Sequence, residues 1–280
     1  MENVVGYINS NREKYVKELE DFLRIPSIST LAANKSDMLT AAEFVSSKLR
    51  EAGMENVKII ETKGHPLVYA DWLHTPGKPT VLVYGHYDVQ PVDPINLWDS
   101  PPFEPTIKDG NIYARGATDD KGQMYMHIKS VEAYFKTVGK LPLNVKFIIE
   151  GEEEIGSGNL DEFVNKNQDM LKCDAVIISD TSLYGPGIPT LTYGLRGLCY
   201  MEVVVTGPNR DLHSGTFGGG VDNPINVLAE MISKLKDNNG KIKIPGFYND
   251  VVNLTKKERD NFKRLPFSEK QYAKTLGLKN

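Results

Sequence analysis

Residues 3–24 carry Val4, Ile8, Tyr15, Leu19, Phe22 and Leu23 at mostly helical spacing, and Ile25-Pro26 closes the run. A second helical stretch spans 38–52, with Ala41, Phe44, Val45 and Leu49 on one face and Gly53 at its C-terminal end. Strand-like runs then follow at 57–61, 67–73 and 80–84, and 105–114 reads as a hairpin around Asp109-Gly110. The pattern returns to helix at 121–137, strand at 144–150, a short helix at 159–165 and strand at 175–179. This alternation predicts an α/β fold, a three-layer α/β/α sandwich with a mixed sheet. From about Leu198 the texture changes: 199–207 predicts a strand, 223–237 an amphipathic helix, and a polar glycine-rich stretch lies between them. Residues 246–280 are mixed, with a short helix at 268–275, so the expected division is a first domain at 1–197 and the start of a second at 198–280.

Composition narrows the class. Hydrophobic residues make up 40% and charged residues 25% of 280, as in a globular chain. A net charge of −4, mixed in sign and without a basic stripe, argues against a nucleic-acid partner. No apolar run approaches the ~18 residues of a membrane span, and the N-terminal segment is charged throughout. Cys173 and Cys199 form no CxxC pair and are expected to stay reduced, in a cytoplasmic protein.

The chemistry concentrates just after the apolar runs. VLVYGHYDVQP (81–91), YARGATDDKG (113–122), VKFIIEGEEEIGSG (145–158) and AVIISDTS (175–182) each place a histidine or carboxylates at the end of a strand or at the start of a helix. That is the level at which an open α/β sheet builds its site. One imidazole with several carboxylates suits zinc or a similar divalent ion. His86 and Asp88 stand two residues apart, so the carboxylate can hold the imidazole while the imidazole holds a metal. Asp119 and Asp120 sit at a strand–helix junction, where a helix N-cap is the competing role. Glu152, Glu153 and Glu154 follow a buried-looking strand, and Asp180 follows AVIIS. His65, His74 and His127 lie outside these segments and receive no role.

GHYDVQP, RGATDDKG, GEEEIGSG, SDTS, TYGLRG and DLHSGTFGGGVDNP together resemble the acetylornithine deacetylase, succinyl-diaminopimelate desuccinylase and carnosine dipeptidase family of co-catalytic zinc hydrolases. The resemblance covers nearly the whole chain and is nearest the dipeptidase branch. It implies hydrolysis of the amide bond of a dipeptide or small peptide with a free carboxylate, by a metal-bridged water. It implies two Zn2+, although Mn2+ and Co2+ suit the same donors. His86 and Asp180 would hold one ion, Asp119 would bridge both, and Glu154 would hold the other. Glu153 would be the general base and Asp88 the clamp on His86, and the Asp119-Asp120 peptide bond would be cis. His213 would contact the substrate carbonyl across a homodimer interface formed by the lid domain at 198–280, and Arg196 would anchor the domain junction. An N-acyl-amino-acid deacylase is the alternative within the same machinery. From another class, the alternative is a non-catalytic remnant that binds metal and self-associates.

Members of that family continue past the point equivalent to Asn280, and the continuation supplies a last histidine ligand and groups for the substrate carboxylate. The second metal therefore lacks its histidine in this chain, and the 280 residues alone are expected to be inactive.

Overall fold

Side chains that alternate along a strand point to opposite faces of a sheet, so a strand apolar on both faces must be covered twice. In a computed structural model, which describes residues 1–278, strand β2 (Leu67–Trp72) and strand β6 (Asn144–Glu150) are buried at every position. They belong to a five-stranded sheet ordered β1-β2-β6-β3-β7, with β1 at Glu55–Ile60, β3 at Thr80–His86 and β7 at Ala175–Ile178. β1, β2 and β6 pair antiparallel in turn, whereas β3 runs parallel to both β6 and β7, so the sheet is mixed.

Val68, Ala70, Trp72, Val83, Phe147 and Ile149 face one core, against α2 (Arg12–Leu23), α3 (Lys35–Ala52) and α4 (Lys121–Val138). Tyr69, Leu82 and Ile148 face the other, packed by Leu160 and Phe163 of α5 (Leu160–Lys166) and by Met170 and Leu171 of α6 (Gln168–Leu171). Helices thus flank both faces of the sheet. Each large side chain that is fully buried, such as Phe147, contributes about 1.5–3 kcal/mol. A small hairpin, β4 (Thr106–Lys108) and β5 (Asn111–Tyr113), turns through Asp109 at φ 52° and Gly110 at φ 76°. Two successive positive φ values are the mark of a type I′ hairpin turn.

The predicted helix at 3–24 is in fact two, α1 (Glu2–Ser10) and α2. Asn11 breaks it at φ −106°, its side-chain amide donating to the Tyr7 carbonyl at 2.8 Å. Such local bonding competes with a continuous helix.

The chain divides into two compact units, Met1–Leu195 and Arg196–Asn280. The second contains α7 (Ser214–Phe217), α8 (Pro224–Lys234), α9 (Lys256–Lys263) and α10 (Glu269–Thr275). Asn223 caps α8 just before Pro224, and a Thr255–Glu258 capping box starts α9. The strand predicted at 199–207 does not form among the described residues. Tyr200, Met201 and Val204 are exposed there, and the segment pairs with no partner. β-branched composition favours a strand only where another strand completes the ladder. Both cysteines are free.

Candidate metal centre

Register brings the chemical groups to one edge of the sheet. The parallel ladder between β3 and β6 ends at the pair His86–Glu150, and that between β3 and β7 ends at Tyr84–Ile178. His86, the turn at 152–155 and Asp180 therefore all leave the carboxyl ends of neighbouring parallel strands, where open α/β sheets bind ligands.

α4 begins against the same edge. A Cβ on Gly85 would lie 2.8 Å from the Asp120 carboxylate and 2.8 Å from Met124, so only glycine lets α4 come this close to β3. Lys121, fully buried, ties the start of α4 to the end of α2 by donating to the carbonyls of Phe22 at 3.1 Å and Ile25 at 2.7 Å. Asp120 occupies the N-cap position but makes no side-chain cap bond. Its Oδ2 accepts instead from the His86 backbone N–H at 3.2 Å. The capping role considered for this pair thus gives way to contact with β3. The Asp119-Asp120 bond is cis.

The geometry around His86 is tight. Its Nε2 lies 3.2 Å from Asp119 Oδ1 and 3.7 Å from Asp180 Oδ2, and single ligand atoms of the three residues all fall within 4.8 Å of one another. On its other side, Nδ1 meets the Asp88 carboxylate at 3.2 Å and the Asp88 carbonyl at 3.1 Å. Asp88 does more than clamp the ring. Its two oxygens also accept the backbone N–H groups of Glu153 at 3.3 Å and Glu154 at 3.1 Å. One buried carboxylate therefore sets the imidazole and the glutamate turn together. The turn is further fixed at its flanks: Glu150 accepts from Tyr84 and Ser157, and Glu152 from the His65 N–H and Asn159.

Glu154 lies outside the three-residue group. Gln90 donates to its carboxylate at 2.7 Å and to its carbonyl at 3.2 Å. Gln90 received no role from the sequence, although it stands inside the GHYDVQP motif. His213 belongs to the second unit, where it caps α7 and its Nδ1 accepts the Gly215 N–H at 3.1 Å. His65 and His74 have local partners, the Ser29 carbonyl and Glu55.

The electrostatics favour a cation at this edge. Burial raises the carboxyls of Asp180, Glu153 and Glu154 above their ordinary values. Neighbouring carboxylates add to this, and His86 works against it. Burial raises Asp120 likewise, to about 7. His86 moves the other way from what burial alone would dictate. Asp88, Asp120 and Glu153 outweigh the desolvation and lift it to about 10. The cluster thus has more negative charge than one imidazole can balance, and a divalent ion would supply the rest.

The residues fit such an ion. His86 Nε2 is buried with no hydrogen-bond partner, and it faces two carboxylates. The side chains grade from fully buried His86 through Asp180 at 29% to Asp119 at 59% exposure, leaving one side open. Three protein ligands with an open position are the usual number at a catalytic metal site, and one imidazole with two carboxylates suits zinc or a similar divalent ion.

The profile of peptidase family M20/M25/M40 matches residues 82–264. The chain belongs to this family. It is 35% identical to the Cys-Gly metallodipeptidase DUG1 of Saccharomyces cerevisiae, over 99% of this chain and 61% of that protein. It is 34% identical to the mouse Beta-Ala-His dipeptidase, over 97% of this chain and 58% of the other. Among solved structures it resembles the M20 family metallo-carboxypeptidase Sso-CP2 from Sulfolobus solfataricus. There the TM-score is 0.79 at 39% identity, covering 95% of this chain and 60% of that one. The chain thus spans about three fifths of the length of these M20 relatives. Among the described residues no helix is long and apolar enough to cross a membrane.

Proposed function

We propose that this M20 chain forms the larger part of a metal-dependent dipeptidase. The observation that carries the reading is the double role of Asp88, which orients His86 toward Asp119 and Asp180 and positions the backbone of Glu153 in the same stroke. Residues 1–197 would form the catalytic domain and 198–280 part of a lid and dimerisation domain. The relatives' names, a Cys-Gly dipeptidase and a Beta-Ala-His dipeptidase, favour a dipeptide with a free carboxylate over an N-acyl amino acid. Zn2+ would be the ion, with Mn2+ and Co2+ suiting the same donors, and the compartment would be the cytoplasm.

His86, Asp119 and Asp180 would hold one ion, and Glu154 with Asp119 would contribute to a second. Bound divalent ions would acidify an attacking water and polarise the scissile carbonyl. The chain's own residues do the rest. Glu153, whose carboxyl burial raises above its ordinary value, accepts a proton from the attacking water. It then delivers that proton to the amine nitrogen as the carbon–nitrogen bond breaks. Asp88 holds the imidazole ring in one orientation so that Nε2 stays directed at the ligand carboxylates. Gln90 fixes the Glu154 carboxylate. His213 of the partner subunit would donate to the oxygen of the carbonyl under attack.

The test is a chain extended to the relatives' length with the C-terminal part of the yeast dipeptidase, supplied with Zn2+ or Mn2+. Expected is cleavage of Cys-Gly and β-Ala-His that disappears on chelation and in Glu153→Gln. Cleavage of N-acyl amino acids without dipeptides would make the protein a deacylase. Tight metal binding with turnover of neither would leave a non-catalytic metal binder.

A further inference from the structure

Asp180 is the least supported of the three ligands. β7 is an edge strand, exposed at all four positions, and its ladder with β3 stops at Ile178. Asp180 therefore hangs two residues beyond the last paired position. Immediately past Ile178, Ser179 is half-buried, and its hydroxyl meets Nε2 of His127 at 2.6 Å. His127 sits in α4, the helix that begins directly after Asp119 and Asp120. Its ring is half-buried, and desolvation keeps it below the ordinary histidine value, so the neutral imidazole is the form that meets the hydroxyl. One rigid helix thus joins two ligands from different parts of the chain: Asp119 at its start, and, through His127 and Ser179, the strand end that carries Asp180.

We propose that His127 is a positioning residue for the metal centre, holding Asp180 at coordinating distance through Ser179. This rests on the metal reading above. The alternative, a histidine that merely lines the cavity it shares with Ile177, leaves the 2.6 Å contact with Ser179 unused. Without the bond, the backbone after Ile178 would be free to swing about its exposed strand, and Asp180 would be ordered only when the ion arrives. Ligand order would then be lost to the unbound state, and affinity with it.

The experiment is a calorimetric titration of the metal-free 280-residue chain with Zn2+, paired with a urea unfolding curve of the same metal-free protein. His127→Phe retains the bulk, His127→Gln retains a side-chain group able to reach Ser179, and Ser179→Ala removes the partner from a half-exposed strand end. His127→Phe and Ser179→Ala should each weaken the tight zinc event by roughly tenfold, within the range for groups that orient a ligand. The double variant should be no worse than either single, since both remove the same bond. His127→Gln should recover most of the affinity, and Ser179→Ala should leave the urea midpoint of the metal-free chain unchanged. The proposal is overturned if zinc affinity is unchanged in both single variants. It is equally overturned if their losses multiply in the double variant, or if affinity falls only in step with the urea midpoint. Absence of zinc binding by the unaltered chain would remove the metal reading itself, and this proposal with it.

Discussion

β6 and β7 flank β3 in one sheet and end at the same edge, yet they are built differently. All seven residues of β6 are buried, between helices on both faces. All four residues of β7 are exposed, with Val176, Ile177 and Ile178 between 40% and 57% accessible. Each strand nevertheless leads to a proposed site residue, β6 to the turn that carries Glu153 and Glu154 and β7 to Asp180. On the β6 side, position is set by the core and by Asp88. On the β7 side there is a single ladder, followed by the one side-chain contact between His127 and Ser179. The same topological level can therefore present a ligand with strong support or with little, and only the packing beneath shows which.

The largest expected effect lies on the β6 side. In the chain extended to the relatives' length, Glu153→Gln should lower turnover at least ~10²–10⁴-fold with metal content unchanged, measured by amino-acid release and metal analysis. An amide cannot accept the proton, whereas the turn that carries it is held by Asp88 through the backbone and stays in place. Equal loss of metal would make Glu153 a ligand.

The contrast in packing predicts a contrast in stability. Phe147→Ala in β6 removes a fully buried ring and should cost about 3–5 kcal/mol, read from urea unfolding. Ile177→Ala in β7, at 40% exposure, should cost no more than about 1 kcal/mol. Similar costs at the two positions would mean that β7 is covered in solution as fully as β6.

α4 is braced on its far side by charge. Lys129, buried, donates to Glu132 at 2.7 Å and lies 2.7 Å from Glu18, which also accepts from Tyr125 at 2.6 Å. Burial alone would raise the Glu18 carboxyl. The bonds from Lys129 and Tyr125 outweigh it and lower the carboxyl to about 2 from the ordinary 4.5. A depressed folded value means that the unfolded chain binds the proton more readily. The stabilisation is then complete above the ordinary value and is lost as pH falls from about 4.5 toward 2. Glu18→Gln should cost roughly 1–3 kcal/mol at pH 7 and flatten the loss of stability across that acid window, followed by urea midpoints against pH. An unchanged pH profile would show that other carboxylates dominate acid unfolding.

Much of this was legible in the chain. The strands that lead to the site are apolar runs bounded by glycine and acidic residues, so their ends could be placed from pattern, whereas the roles of His86, Asp119, Glu153 and Asp180 came from the family resemblance of the motifs at those ends. The second role of Asp88 could not. It depends on two backbone N–H groups of a turn 65 and 66 residues away, and backbone donors leave no trace in side-chain pattern. Gln90 and His127 were passed over for a related reason. Gln90 meets Glu154, and His127 meets Ser179, only after the sheet has formed. The strand read into 199–207 shows the opposite error, since β-branched composition is visible in sequence whereas a pairing partner is not. Asn11 was misjudged because the apolar spacing runs straight across it.

His86, Asp119 and Asp180, brought together from β3, the start of α4 and the end of β7, would hold one divalent ion. The most direct measurement is a crystal structure of the zinc-loaded protein with anomalous data at the zinc edge. The expected result is a zinc peak at about 2.0–2.2 Å from His86 Nε2 and from a carboxylate oxygen of each aspartate. A peak elsewhere on the chain, or none at His86 under saturating zinc, would contradict it.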